Sequence, residues 1–297
     1  MPIKLGNAPC SWGVEFADDP RNPPWRRVLD ECKAAGYDGI ELGPIGFLPE
    51  DPALLAGALA ERGLELVGGV VFRPFHDPSK WDDVLDAVIR TCKTLKAQGA
   101  RHLVLIDSIS PRRAATAGRP AEAEQMDAAE WKAFLGRIEE TARIGVEEYG
   151  LVAAIHPHAA GFCDFEPEVE ALLAEIDPGR LKICLDTGHS LYAGFDPAAF
   201  LARHASRVSY IHLKDIDPRV KARVIAERTD FYKACGQGIF CALGDGEADF
   251  PAIHAGLAAQ GFDGWCTVEQ DCDPAGGTSP VEGARANRAY LESIGFI

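Results

Sequence analysis

No stretch of this 297-residue chain approaches the ~18 consecutive apolar residues that a membrane-spanning helix needs. The opening Met-Pro-Ile-Lys-Leu-Gly-Asn also lacks the apolar core of a signal peptide, so the expectation is a cytoplasmic protein with no membrane partner. Positive charge is scarce: 30 Lys and Arg stand against 45 Asp and Glu, a formal net charge of −15. Such a surface repels phosphate backbones and no basic run interrupts it, so nucleic acid is not an expected partner. A small neutral substrate meets no such barrier. The nine cysteines, among them Cys272, form no C-x-x-C and are odd in number. Several, such as Cys184 and Cys266, sit inside apolar runs and read as reduced core residues; their spacing does not suit a zinc–thiolate site. No Gly-x-Gly-x-x-Gly opens a helix after the first strand-like run, which argues against an open dinucleotide-binding sheet.

What the chain does have is alternation. Strand-like runs fall near Ile3–Ala8, Gly39–Leu42, Leu64–Val71, His102–Ile106, Leu151–Ile155, Lys182–Leu185, Val208–Leu213 and Trp265–Glu269. Helical patterns follow them near Trp25–Ala35, Pro52–Arg62, Lys80–Ala97, Ala128–Tyr149, Glu166–Ile176, Pro197–His204, Phe250–Ala259 and Val281–Ser293. Gly36, Gly63, Gly99, Gly150 and Gly261 each end a helical pattern where a left-handed cap belongs. Strict alternation of this kind predicts parallel strands with helical crossovers, and the count of eight predicts a single-domain (β/α)8 TIM barrel over residues 1–297. The longest interruption, about 215–247, reads as a loop-and-helix insertion over the active face.

Four of the runs end in a residue able to bind a metal: His156, Asp186, His212 and Glu269. Strand ends of a barrel converge on one mouth, so these ends can gather nitrogen and oxygen ligands onto one ion. A mixed imidazole and carboxylate set suits a divalent transition metal: Mn²⁺ or Co²⁺ first, with Zn²⁺ or Fe²⁺ also compatible. Asp186 has a second reading, as cap of the helix that follows it. His158, two residues after His156, shares its strand face, which leaves open which of the two is the ligand. His189 lies three residues past Asp186, and Lys214 shares a face with His212; both are candidate acid–base groups, the lysine if burial lowers its pKa. Glu41 near the end of the second run, and Arg73 and Asp107 after the third and fourth, are expected to bind substrate hydroxyls, with Trp12 as an apolar wall under a ring.

The Leu-Asp-Thr-Gly-His at 185–189, Ile-His-Leu-Lys-Asp at 211–215 and Thr-Val-Glu at 267–269 resemble the last three strand ends of the xylose-isomerase-like TIM-barrel superfamily. Asn-Ala-Pro-Cys-Ser-Trp-Gly at 7–13, Ile-His-Pro-His-Ala at 155–159, the stretch Gly238–Phe250 and Glu269–Pro274 resemble the inosose (2-keto-myo-inositol) dehydratase group within it. The resemblance covers nearly the whole chain. It implies a metal set of His156, Asp186, His212 and Glu269, with His in the first place where epimerases of the superfamily carry Glu. That exchange favours a metal-dependent dehydratase of a cyclic polyol ketone over the alternative, a keto-sugar or inosose isomerase or epimerase. Abasic-site endonucleases of the superfamily hold several zinc ions, and the acidic charge and single ligand set argue against that activity. A non-catalytic sugar-binding protein is the remaining reading. The oligomeric state stays open, a homo-oligomer included.

Overall fold

Eight parallel strands of this computed structural model converge at their carboxyl ends on one mouth; the described residues are 3–271 and 279–297. Cys272 and the end of the Glu269–Pro274 motif lie outside them. The strands are β1 (Lys4–Asn7), β2 (Gly39–Ile40), β3 (Glu65–Leu66), β4 (Gly68–Arg73), β5 (His102–Asp107), β6 (Val152–Ile155), β7 (Lys182–Asp186), β8 (Val208–Leu213) and β11 (Trp265–Val268), with β9 (Asp215–Ile216) and β10 (Phe240–Cys241) apart. The sheet order is β3-β2-β1-β11-β8-β7-β6-β5-β4. Its two ends, β3 and β4, are halves of one segment broken only at Val67, so the ring closes on itself as a (β/α)8 barrel. Val67 N donates to Ile40 O at 3.0 Å and Leu42 N to Gly68 O at 2.9 Å, carrying the pairing across the break.

The helical patterns fold as expected, with small changes at their ends. Trp25–Ala34, Pro52–Ala60, Trp81–Gln98, Glu166–Glu175, Pro197–Arg203, Phe250–Ala259 and Pro280–Ser293 are α-helical. The pattern at Ala128–Tyr149 forms an α-helix to Arg143, capped by a reciprocal Asp127–Glu130 box, then widens to a π-helical turn over Ile144–Glu148. All five cap glycines have positive φ, from 59° to 93°. Among the described residues no helix is long and apolar enough to cross a membrane.

Strand parity decides which side chains enter the barrel. Val70, Val104 and Ala154 face each other in register across β4, β5 and β6, and with Cys184 and Tyr210 they belong to one interior cluster. Successive strand residues alternate faces. Phe72, Ile106, His156, Asp186 and His212 therefore stand one layer above that floor, and Arg73 and Asp107, paired in register, point out into the helical layer.

Segment 215–247 carries β9 and β10 as an antiparallel pair, with helices Pro218–Ala226 and Phe231–Gly236 between them. Its two ends are fastened by one buried carboxylate. Asp215 accepts from the backbone N–H of Ile216, Gly244, Gly246 and Ala248 at 2.8 to 3.1 Å. This explains the Leu-Gly-Asp-Gly-Glu run at 243–247, which wraps that side chain.

Candidate metal centre and acid–base site

Each ligand candidate is delivered by the local structure of its strand end. His156 N donates to Leu105 O at 2.9 Å and Glu269 N to Leu213 O at 3.0 Å, so both continue the ladder for one residue past the strand. Asp186 serves both of its readings at once. Oδ1 accepts from His189 N at 2.7 Å and caps helix Thr187–Ala193, whereas Oδ2 is buried with no hydrogen-bond partner among the described residues. The rest of the motif seats the neighbouring strand. The Thr187 hydroxyl binds Lys214 N at 2.9 Å and Lys214 O at 2.5 Å. A Cβ on Gly188 would come within 2.7 Å of Lys214 Cγ, so only glycine lets the lysine lie this close.

His156, Asp186, His212 and Glu269 each offer one ligand atom to a set lying within 4.8 Å of one another, all four buried. His156 Nε2 is 3.4 Å from Asp186 Oδ2, and His212 Nδ1 is 3.3 Å from Glu269 Oε1 and 3.9 Å from Asp186 Oδ2. Asp186 Oδ2 and His212 Nδ1 are both buried without a hydrogen-bond partner among the described residues. Unpartnered polar atoms in a dry interior are costly, and a cation between them removes the cost. Ligands at about 2.0–2.2 Å around one ion lie about 3–4 Å apart, so these residues fit a divalent metal. His212 Nε2 meets Glu41 Oε1 at 2.8 Å. That contact turns Nδ1 toward the ligand set, the arrangement in which an outer carboxylate orients a ligating imidazole.

Around the set stand the acid–base candidates. His158 and His189 lie against each other with ring centroids 4.0 Å apart and planes tilted by 34°. His158 Nδ1 lies 2.9 Å from Ala159 O, and His189 Nδ1 accepts from Ala159 N at 3.2 Å. Burial, with His156 and Lys214 nearby, pulls the His158 pKa down to about 3; burial, with His158 and Lys214, also holds His189 well below its ordinary value. Burial opposes the charge of Lys214, but Asp271, Glu269 and Asp186 outweigh it and hold the pKa well above normal. The condition attached to Lys214 as an acid–base candidate, a pKa lowered by burial, meets a shift in the other direction: its ammonium lies 3.0 Å from Glu269 Oε2 and 3.2 Å from Asp271 Oδ1. For Glu269, too, burial is outweighed, by His212 and Lys214, which bring it down to about 2.

The four residues expected to bind substrate stand outside the ligand set. Glu41 enters the barrel but lies behind His212, as its orienting carboxylate. Asp107 points outward; its oxygens take His76 N at 3.0 Å, His76 Nδ1 at 2.8 Å and Phe162 N at 2.9 Å. Arg73 lines a cavity of about 450 Å³ with Phe16, Asp18, Ile45 and Arg90, which shares no residue with the ligand set. Trp12 is buried, its Nε1 donating to Glu31 Oε2 at 2.8 Å in the helical layer. The mouth is walled instead by aromatics that sequence reading missed. Phe72 and Phe231 lie 5.2 and 5.7 Å from the His158 ring, and Phe240 lies 4.9 Å from both the His189 ring and Lys214 Nζ. Asp271 was findable: it stands two residues past Glu269, the spacing that singled out Lys214 after His212.

Residues 29–294 match the family described as Xylose isomerase-like TIM barrel. The chain belongs to that family. It is 30% identical over 308 residues to an inosose dehydratase of Geobacillus kaustophilus (strain HTA426), covering 99% of this chain and 95% of the relative. It is 31% identical over 277 residues to the rhizopine catabolism protein MocC of Rhizobium meliloti, covering 92% of this chain and 83% of that one. Among solved structures it is similar to that of the IOLI protein with a bound zinc atom, at a TM-score of 0.74, 16% identity and 98% coverage of each chain. At that identity the likeness speaks for the fold alone.

Proposed function

We propose that this protein is a metal-dependent hydro-lyase that removes water from a cyclic polyol ketone such as 2-keto-myo-inositol. The observation that carries the reading is the buried His156–Asp186–His212–Glu269 set with two histidines in ring contact, His158 and His189, beside it. The inosose dehydratase relatives, at up to 30% identity over nearly the full chain, support the substrate class. A divalent ion held by the four residues would supply a Lewis acid that polarises the ketone.

The chain's own groups then divide the work. His158 removes the proton from the carbon next to the ketone. His189, whose ring stays neutral, donates a hydrogen bond to the neighbouring hydroxyl, and the proton taken by His158 passes to that hydroxyl as its C–O bond breaks, so one C–H and one C–O bond are lost, a C=C bond forms, water leaves and both rings end neutral. Glu269 is a poor base here, because its oxygens face His212 and Lys214. Lys214, held as a cation, adds positive charge where negative charge develops on the substrate. Phe72, Phe231 and Phe240 keep bulk water from the reacting carbons, and the 215–247 segment acts as the cover that brings two of them in. General acid–base help of this kind is worth about 10²–10⁴-fold. The eight cysteines described are all free, which supports a cytoplasmic setting.

The test is incubation of the Mn²⁺- or Co²⁺-loaded protein with 2-keto-myo-inositol in deuterated water. Growth of dione absorbance is expected. Deuterium entering the sugar with no dione identifies an isomerase or epimerase instead, and neither signal means a sugar-binding protein.

A further inference from the structure

The two acid–base histidines are tied to the same residue by opposite kinds of group. A carbonyl oxygen only accepts, so the 2.9 Å contact of His158 Nδ1 with Ala159 O puts the proton on Nδ1 and leaves a lone pair on Nε2. A backbone N–H only donates, so the 3.2 Å bond from Ala159 N leaves His189 Nδ1 bare and puts the proton of the neutral ring on Nε2. We infer that Ala159 sets His158 and His189 in opposite tautomers, one a ready acceptor and the other a ready donor, and that Asp164, Glu168 and Arg113 are the positioning residues that hold Ala159 there. For its catalytic meaning this rests on the proposed dehydration.

The device behind Ala159 is buried and has no other use in the site. The next residue, Ala160, has φ of 68°, in the left-handed region that residues other than glycine avoid. It is held there from both sides: Asp164 Oδ2 accepts from Ala160 N at 3.0 Å, and Ser110 N donates to Ala160 O at 2.9 Å. Glu168 Oε2 in turn accepts from Asp164 N and Phe165 N, both at 3.1 Å. Arg113 grips Glu168 with two bonds, at 2.8 and 3.1 Å, and donates to Glu124 O at 3.0 Å. The chain of contacts therefore runs from the Pro111–Ala114 helix through the start of the Glu166–Glu175 helix to the loop that carries both histidine partners. One competitor exists. Lys214 Nζ lies 3.4 Å from His189 Nε2 and would favour a bare Nε2, but that ammonium has nearer partners in Glu269 and Asp271.

Tautomers are read directly by long-range ¹H–¹⁵N correlation on the zinc-loaded, histidine-labelled protein, with no turnover required. The expected spectrum shows a protonated Nδ1 and bare Nε2 for His158 and the reverse for His189. In Asp164→Ala the split is lost, and kcat falls by about 10- to 100-fold, part of the acid–base contribution, with KM little changed. Asp164→Asn, whose amide oxygen still accepts from Ala160 N, restores the split. The same tautomer in both rings of the unaltered protein overturns the inference, and so does an unchanged split in Asp164→Ala. The first comparison needs no variant, so a misfolded Asp164→Ala does not leave it undecided. A split pair with no dione formed from 2-keto-myo-inositol defeats the dehydratase reading and leaves the tautomer assignment standing.

Discussion

Asp107 and Asp186 each stand at the last position of a barrel strand, both are buried, and they do opposite things. Asp186 is inward: one oxygen caps a helix and the other is left bare toward His156 and His212. Asp107 is outward: both its oxygens are consumed by His76 and Phe162, and it fastens loops. The same contrast separates the two halves of the ring. The ends of β6, β7, β8 and β11 send ligands into the mouth. The ends of β4 and β5 send charge into the helical layer, and β2 sends Glu41 inward, where Oε1 meets His212. Position at a strand end is thus not enough; parity with the interior layer decides between chemistry and scaffold.

Replacing the two aspartates separates the roles most sharply. Asp186→Ala should abolish metal binding measured by titration calorimetry and cost several kcal/mol of transition-state stabilisation, about 10³-fold or more in turnover. Asp107→Ala should leave metal affinity within about threefold, because no ligand is touched. It should instead lower stability by about 3 kcal/mol through the amides it strands, a fall of roughly 6–12 °C in Tm by calorimetry. If Asp107→Ala lost the metal and kept its Tm, the parity argument would fail.

Glu41 sharpens the same comparison from behind the ligands. Glu41→Gln keeps an acceptor for His212 Nε2 but removes the charge, and metal affinity should fall about tenfold, the lower end for an orienting partner. A rise in KM with unchanged metal affinity would return Glu41 to substrate binding. The smallest effect is expected at Arg73. It lines the cavity shared with Phe16 and Arg90, away from the ligand set, so Arg73→Met should move kcat/KM by no more than about twofold in a steady-state assay. A tenfold rise in KM would place that cavity in the substrate path.

Much of this was legible in the chain. Val208–Leu213 and Phe250–Ala259 fold with the boundaries that periodicity gives them, and the five cap glycines sit at helix ends where a positive φ is needed. The ligand candidates stood out because a charged or imidazole group directly after an apolar run is costly in a buried sheet unless something binds it. The outward direction of Arg73 and Asp107 was not legible, for a physical reason. Strands of a parallel barrel are buried on both faces, so Val70–Phe72 and Leu103–Ile106 are apolar throughout and carry no period-two signal of which face is interior. Glu41 meets His212 across 171 residues, and the tautomer-setting contacts of Ala159 are made by its backbone; neither leaves a pattern in sequence.

The most direct test of the central claim is anomalous diffraction from crystals grown with Mn²⁺ or Zn²⁺ and measured at the metal's absorption edge. The account predicts one strong peak at about 2.0–2.2 Å from His156 Nε2, Asp186 Oδ2, His212 Nδ1 and a Glu269 oxygen, with Glu41 still on His212 Nε2. A peak on His158 in place of His156, or metal bound only away from these four strand ends, would contradict it.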